Sequence, residues 1–222
     1  MWRLYHFALC PFSRTVRLLL GEKRVAFELV HVPPWEPRPV YRRLNHSGLV
    51  PALQVTGRGI TLADSRAICE FIEETVPAAS MMLGSAEQRA EVRRLVAWAD
   101  DCFYAPLSLP LLVDAFGAGR QPVPVGQAAI ERARAAAEMH LDEMAHLLDH
   151  RAWLAGPRFS LADLAVAAHL SVADYFGAID WSGHGEVQIW YAVIKSRRSF
   201  QPLLANRVEG IEPPPHYSQI DT

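Results

Sequence analysis

The chain has 222 residues, 50% of them apolar and 21% charged, with a formal net charge of −2. That balance gives no electrostatic case for nucleic-acid binding, and no apolar run is long enough to span a bilayer. Three widely spaced cysteines (Cys10, Cys69, Cys102) argue against a disulfide framework or zinc knuckle and suit a reducing compartment.

The N-terminus, Met1 to Phe7, carries no basic region ahead of a signal-like apolar stretch, so it reads as the first strand of a cytoplasmic protein. Arg3 to Phe7 is the predicted strand. A helix follows from Ser13 to Lys23, with Val16, Leu19, Leu20 and Lys23 at i, i+3, i+4, i+7 spacing. Ala26 to Val30 reads as a second strand. The stretch Pro33 to Pro39 is too rich in proline for regular structure. Val50 to Val55 and Gly59 to Leu62 flank Thr56-Gly57-Arg58 as a hairpin, and Asp64 to Val76 is a helix with Ile68, Phe71, Ile72 and Thr75 on one face. The order over residues 1–76 is β-α-β, then β-β-α. Residues 77–84 break the periodicity and read as a linker. Residues 85–200 read as all-helical, with helices at 87–104, 126–150, 161–172 and 186–195. Leu161 to Val172 is apolar nearly all round, which predicts the buried centre of a bundle. Ser160 and Asp163 form a capping box at its start. Residues 201–222 form a tail containing Pro202, Pro213, Pro214 and Pro215.

Three stretches can carry chemistry. Cys10-Pro11-Phe12-Ser13 sits at a strand-to-helix junction, where amides and the helix dipole favour a thiolate. Cys10 is then a reactive thiol or a small apolar residue, and Ser13 a donor to a bound sulfur or an N-cap. In Leu49-Val50-Pro51, a cis bond before Pro51 would turn the Val50 amide and carbonyl toward an extended peptide. Asp64 and Ser65 open a helix, either as an anion site or as simple capping. His146 and His150 lie at i, i+4, but no third ligand is placed near them, so no metal site is expected. Lys195, Arg197 and Arg198 suit a helix end, or an acidic partner.

In their joint order, "CPFSRTVRLLL", "NHSGLVPAL", "LADSRAICEFI" and "FSLADLAVAAHL" resemble the glutathione S-transferase superfamily over nearly the whole chain. The resemblance implies a thioredoxin-like βαβ-ββα N-terminal domain, an all-α bundle domain, a homodimer, and glutathione as co-substrate with a small electrophile or disulfide. Cys10 matches the nucleophilic cysteine of omega-like members and Ser13 the reactive serine of zeta-like ones. Val50 and Pro51 match the pair that holds the cysteinyl part of glutathione, while Asp64 and Ser65 match the grip on its γ-glutamyl end. Ser160 and Asp163 match the family's folding box. Leu49 stands where the family carries a polar residue for the glycyl carboxylate; Arg38, Arg42 and Arg43 are the candidate replacements. The segments "DYFGAIDW" and "WYAVIKSRRSFQPLLANRVEGIEPPPHY" also resemble FtsZ-binding bacterial division proteins of the same fold, which implies a binding role at the FtsZ filament. The bland account of the tail is that Ile211 and Tyr217 pack it back on the bundle. Two functions are therefore expected: glutathione conjugation or thiol transfer, or non-catalytic FtsZ binding.

Overall fold

The structure, a computed structural model, describes residues 1–36, 38–78, 80–82, 84–117 and 121–219. The predicted proline-rich stretch, linker and tail include Pro37, Ala79, Leu83 and residues 220–222, which lie outside the described residues.

Trp2–His6 (β1), Pro11–Glu22 (α1) and Phe27–His31 (β2) form a βαβ unit with parallel strands. Pro39–Leu44 (α2) leads into the antiparallel hairpin Ala52–Val55 (β3) and Ile60–Ala63 (β4). Sheet order is β2-β1-β3-β4, with β3 antiparallel to β1. Ser65–Thr75 (α3) completes this half. Leu4 and Leu53 are register partners, and they share one core with Val16, Leu19, Ile68 and Ile72, the stripes that the helical spacing marks. Lys23 ends the α1 stripe buried, because Glu73 of α3 pairs with it at 2.9 Å. Helix α2 went unpredicted: it is short and begins at a proline, which at the first helical position loses no hydrogen bond.

The helical half departs from expectation at one place. Instead of one helix over 87–104, Ala86–Trp98 (α4) runs through a π-helical segment, Ala99–Ser108, into Leu109–Phe116 (α5). Pro106 lies inside the π-helical segment, whose wide turns accommodate a residue without an N–H, so the chain stays helical past the predicted end at residue 104. Gln127–Leu148 (α6), Leu161–Tyr175 (α7), Gly185–Lys195 (α8) and the short Gln201–Leu204 (α9) follow. Every residue of α7 is buried, so it is the central helix. Among the described residues, no helix is long and apolar enough to cross a membrane.

The tail is part of the bundle. The Tyr175 hydroxyl donates to the Ile211 carbonyl at 2.8 Å and accepts the Val208 amide at 3.1 Å. Tyr217 is fully buried and donates to the Leu203 carbonyl at 3.2 Å. Lys195 and Arg197 face inward, toward Asp174 at 3.7 Å and Glu22 at 2.7 Å, and only Arg198 of that trio is exposed.

Candidate functional site

The turn after β1 closes with the Cys10 amide donating to the Phe7 carbonyl at 3.1 Å. Pro11 opens α1, so Cys10 takes the N-cap and Ser13 lies within the first turn. The helix thus starts two residues earlier than predicted, since proline suits the position whose N–H has no intrahelical partner. Fully buried Arg14 fastens this start to the bundle. Its Nε donates to the Ala8 carbonyl at 2.8 Å and its Nη1 to Ser171 Oγ of α7 at 2.6 Å.

Opposite Cys10 runs the segment that enters β3. The Val50–Pro51 peptide is cis, and the Cys10 thiol donates to the Val50 carbonyl at 3.7 Å. The Tyr41 hydroxyl and the Asn45 side-chain amide hold this segment by donating to the Leu49 carbonyl, at 2.6 and 2.8 Å. The Leu49 side chain is 69% exposed.

The helix start was expected to favour a thiolate at Cys10, and burial works against that pull. Loss of solvent pushes the thiol above its ordinary value, while the Ser13 hydroxyl, the Ser13 and Phe12 amides and Arg14 pull it down without cancelling the shift. Cys10 is therefore a neutral thiol at pH 7. Ser13 is fully buried, and its hydroxyl has no oxygen or nitrogen hydrogen-bond partner among the described residues; the Cys10 sulfur is the group it acts on.

Cys10, Leu49 and Val50 come together in a largely apolar cleft of about 460 Å3. Arg38 also lines it, donating to the Gly48 carbonyl at 3.0 Å; of the three candidate arginines, only Arg38 reaches this cleft. The opposite wall is Tyr104 together with Leu109, Leu112, Val113 and Phe116, so it extends well past the predicted helix end. Those last four recur at i, i+3, i+4, i+7, a signal that Pro106 and Pro110 concealed. Aromatic contacts brace both walls: Phe12 meets Tyr104 at 4.7 Å, and Phe116 stacks on Trp35 at 5.2 Å.

Ser13 and Pro51 are buried and do not line the cleft, and Asp64 and Ser65 stand outside its lining at the start of α3. Asp64 holds φ 75, and its Oδ1 accepts the Arg66 and Ala67 amides at 2.8 and 3.1 Å. That carboxylate is spent as a helix cap. The Ser65 hydroxyl has no protein partner among the described residues. Arg66 donates to Asp100 at 2.9 Å and pairs with Asp101, and Asp100 lies 3.3 Å from His169 Nε2. The His169 ring meets the edge of Phe12 at 5.4 Å, linking the α3 start to the residue two places after Cys10. Burial lowers the His169 pKa against the opposing pull of Asp100.

Residues 4–80 match the family model "Glutathione S-transferase, N-terminal domain", and residues 127–192 match "Glutathione S-transferase, C-terminal domain". FtsZ-localized protein A of Caulobacter vibrioides is 43% identical over 98% of this chain and 97% of its own length. The solved structure of FzlA from C. crescentus superimposes with a TM-score of 0.91 at 41% identity, covering 100% of this chain and 99% of that one. A glutathione S-transferase structure from Rhodospirillum rubrum gives 0.92 at 40% identity, covering 100% of both chains. Sheet order, the cis-proline segment and these full-length matches agree, and the chain belongs to the glutathione S-transferase family.

Proposed function

We propose that this protein is a non-catalytic glutathione-transferase-fold protein that binds FtsZ filaments in the cytoplasm. The reading rests on the 43% identity to FtsZ-localized protein A, which extends over 98% of the chain and so takes in the tail. Two features of the site favour binding over catalysis: Cys10 is a neutral thiol, and Leu49 offers no hydrogen bond where the family has a polar residue. Co-sedimentation with polymerised FtsZ tests it. The protein should pellet with filaments and stay in solution without them; protein left in the supernatant with filaments present would sink the reading.

A second reading keeps glutathione at the cleft, and the Ser13 hydroxyl beside Cys10, with no oxygen or nitrogen partner among the described residues, favours it. The cysteinyl backbone of glutathione would lie at Val50, its γ-glutamyl end at Asp64 and Ser65, and its glycyl carboxylate at Arg38. An apolar electrophile or disulfide would rest on the Tyr104–Phe116 wall. In thiol transfer, the small fraction of Cys10 that has lost its proton to solvent attacks a disulfide, forms a mixed disulfide and expels the other sulfur as a thiolate that takes up a proton; glutathione thiolate then attacks the substrate sulfur of the mixed disulfide and releases Cys10. In conjugation, the Ser13 O–H would steady the glutathione thiolate instead. Glutathione at 100 times its dissociation constant adds about 2.7 kcal/mol, which raises the melting midpoint by about 5–10 °C for a chain of this size. Ser65→Ala should shrink that rise, and no rise in the wild type would exclude the ligand. Homodimer formation, the family expectation, is read directly by light scattering.

A further inference from the structure

A second concavity of about 480 Å3 lies between the end of α1, strand β2 and the turn joining α8 to α9, and it shares no lining residue with the thiol cleft. Its charge is one-sided. Four arginines (Arg17, Arg24, Arg197 and Arg198) line it, against the single carboxylate of Glu22. That carboxylate is already committed: Arg197 grips both its oxygens, at 2.8 and 2.7 Å, and the Ser199 hydroxyl donates to it at 2.6 Å.

The remaining cations have no such partner. Arg17 is only 4% exposed, and the bonds its guanidinium makes go to neutral oxygens, Asn206 Oδ1 at 2.7 Å and the Pro202 carbonyl at 3.3 Å. Arg24 and Arg198 are exposed, and neither makes an ion pair among the described residues. A net-negative chain thus concentrates three unpaired guanidinium groups around one hollow. Desolvation of Arg17 strengthens its pull on any anion that enters.

The apolar side of the hollow is equally specific. Phe27 and Leu29 alternate along β2 and therefore share a face of the sheet, and Leu29 is 41% exposed although its register partner Leu4 is fully buried. Strand β2 ends the sheet, so its outer main-chain groups are left without a neighbouring strand among the described residues.

We propose that this hollow docks an acidic segment of a partner protein, with carboxylates on Arg24 and Arg198 and an apolar side chain over Phe27 and Leu29. A guanidinium takes a carboxylate in two parallel hydrogen bonds, which orients the segment as well as holding it. A small inorganic anion would satisfy the arginines but leave Phe27 and Leu29 open to water. The proposal goes beyond the filament reading and does not depend on it.

Fluorescence anisotropy with a labelled peptide of glutamates around a central leucine and phenylalanine tests the site. The wild type should bind this probe, more weakly as salt rises, and ignore the same peptide with lysines in place of the glutamates. The double variant Arg24→Glu, Arg198→Glu should weaken binding by about tenfold or more. Arg38→Glu, in the thiol cleft, should leave it unchanged. Leu29→Ser provides a milder second variant, expected to lose affinity for the probe while melting like the wild type. Equal binding by the arginine double variant, or by a peptide of glutamates alone, would overturn the proposal. Complete displacement of the probe by inorganic phosphate would also overturn it, since that identifies a bare anion site.

Discussion

The starts of α7 and α1 each carry a small polar side chain at the N-cap, a hydroxyl on Ser160 and a thiol on Cys10, and they end in opposite states. At α7, Asp163 is fully buried and each of its oxygens takes two donors. Oδ1 accepts the Leu154 amide and Trp190 Nε1, both at 3.0 Å. Oδ2 accepts the Ser160 amide at 2.9 Å and its hydroxyl at 3.0 Å. The Met81 carbonyl takes the Leu161 amide at 2.9 Å, so the chain between the two halves is fastened there too. At α1 the N-cap thiol makes no capping hydrogen bond, and the buried Ser13 hydroxyl has no oxygen or nitrogen partner among the described residues. A buried polar group left unpaired costs about 1–3 kcal/mol, so the α1 start sacrifices stability where α7 gains it. One start is a finished joint, and the other retains hydrogen-bonding capacity beside a cleft.

Substitutions can break that contrast. The largest effect belongs to Asp163→Ala, which strands four donors in the core and should cost about 3–5 kcal/mol, lowering the melting midpoint by about 10 °C. Asp64→Ala removes a cap that serves two amides at an exposed start, so urea unfolding should show a loss of about 0.5–2 kcal/mol. If the two losses are equal, the finished joint is no more than an ordinary cap. Ser13→Ala should have the smallest effect and the opposite sign: deleting a buried hydroxyl with no oxygen or nitrogen partner relieves an unpaired group and should raise stability by up to about 1 kcal/mol.

Ser13→Ala should nevertheless move the chemistry of Cys10. The hydroxyl lowers the thiol pKa, so its removal should push the midpoint of the alkylation rate to still higher pH. Since folding already raises that pKa above the ordinary value of 9.0, wild-type alkylation at pH 7 should be slower than for a free thiol. The linkage sign follows from the same shift. Stability contributed by the neutral thiol is complete below the unfolded value and declines as pH rises through the folded one. A wild-type midpoint at or below that of free cysteine would mean that the helix start, and not burial, governs the sulfur.

Much of the fold was legible because it is written locally. Hydrophobic spacing marks α1, α3, α6 and α7, and the capping pair Ser160 and Asp163 marks where α7 begins. The uniform apolar character of α7 predicts its burial, since an all-round apolar helix has no face to give to water. Local reading failed at Pro106, where a π-helical turn absorbs the proline and carries the helix on to build one wall of the cleft.

By itself, the sequence determined the βαβ-ββα order, the central helix and the capped starts of α3 and α7, because periodicity and capping act over a few neighbouring residues. Tertiary structure alone decided the state of Cys10. Its pKa depends on how much solvent the Val50 segment and the surrounding core remove, and those groups come from distant parts of the chain. It also decided which arginine faces the cleft, and that Arg17, Arg24 and Arg198 meet around a hollow whose one lining carboxylate among the described residues, Glu22, is held by Arg197. Such charge balance is a sum over space, and residues widely separated in sequence contribute to it.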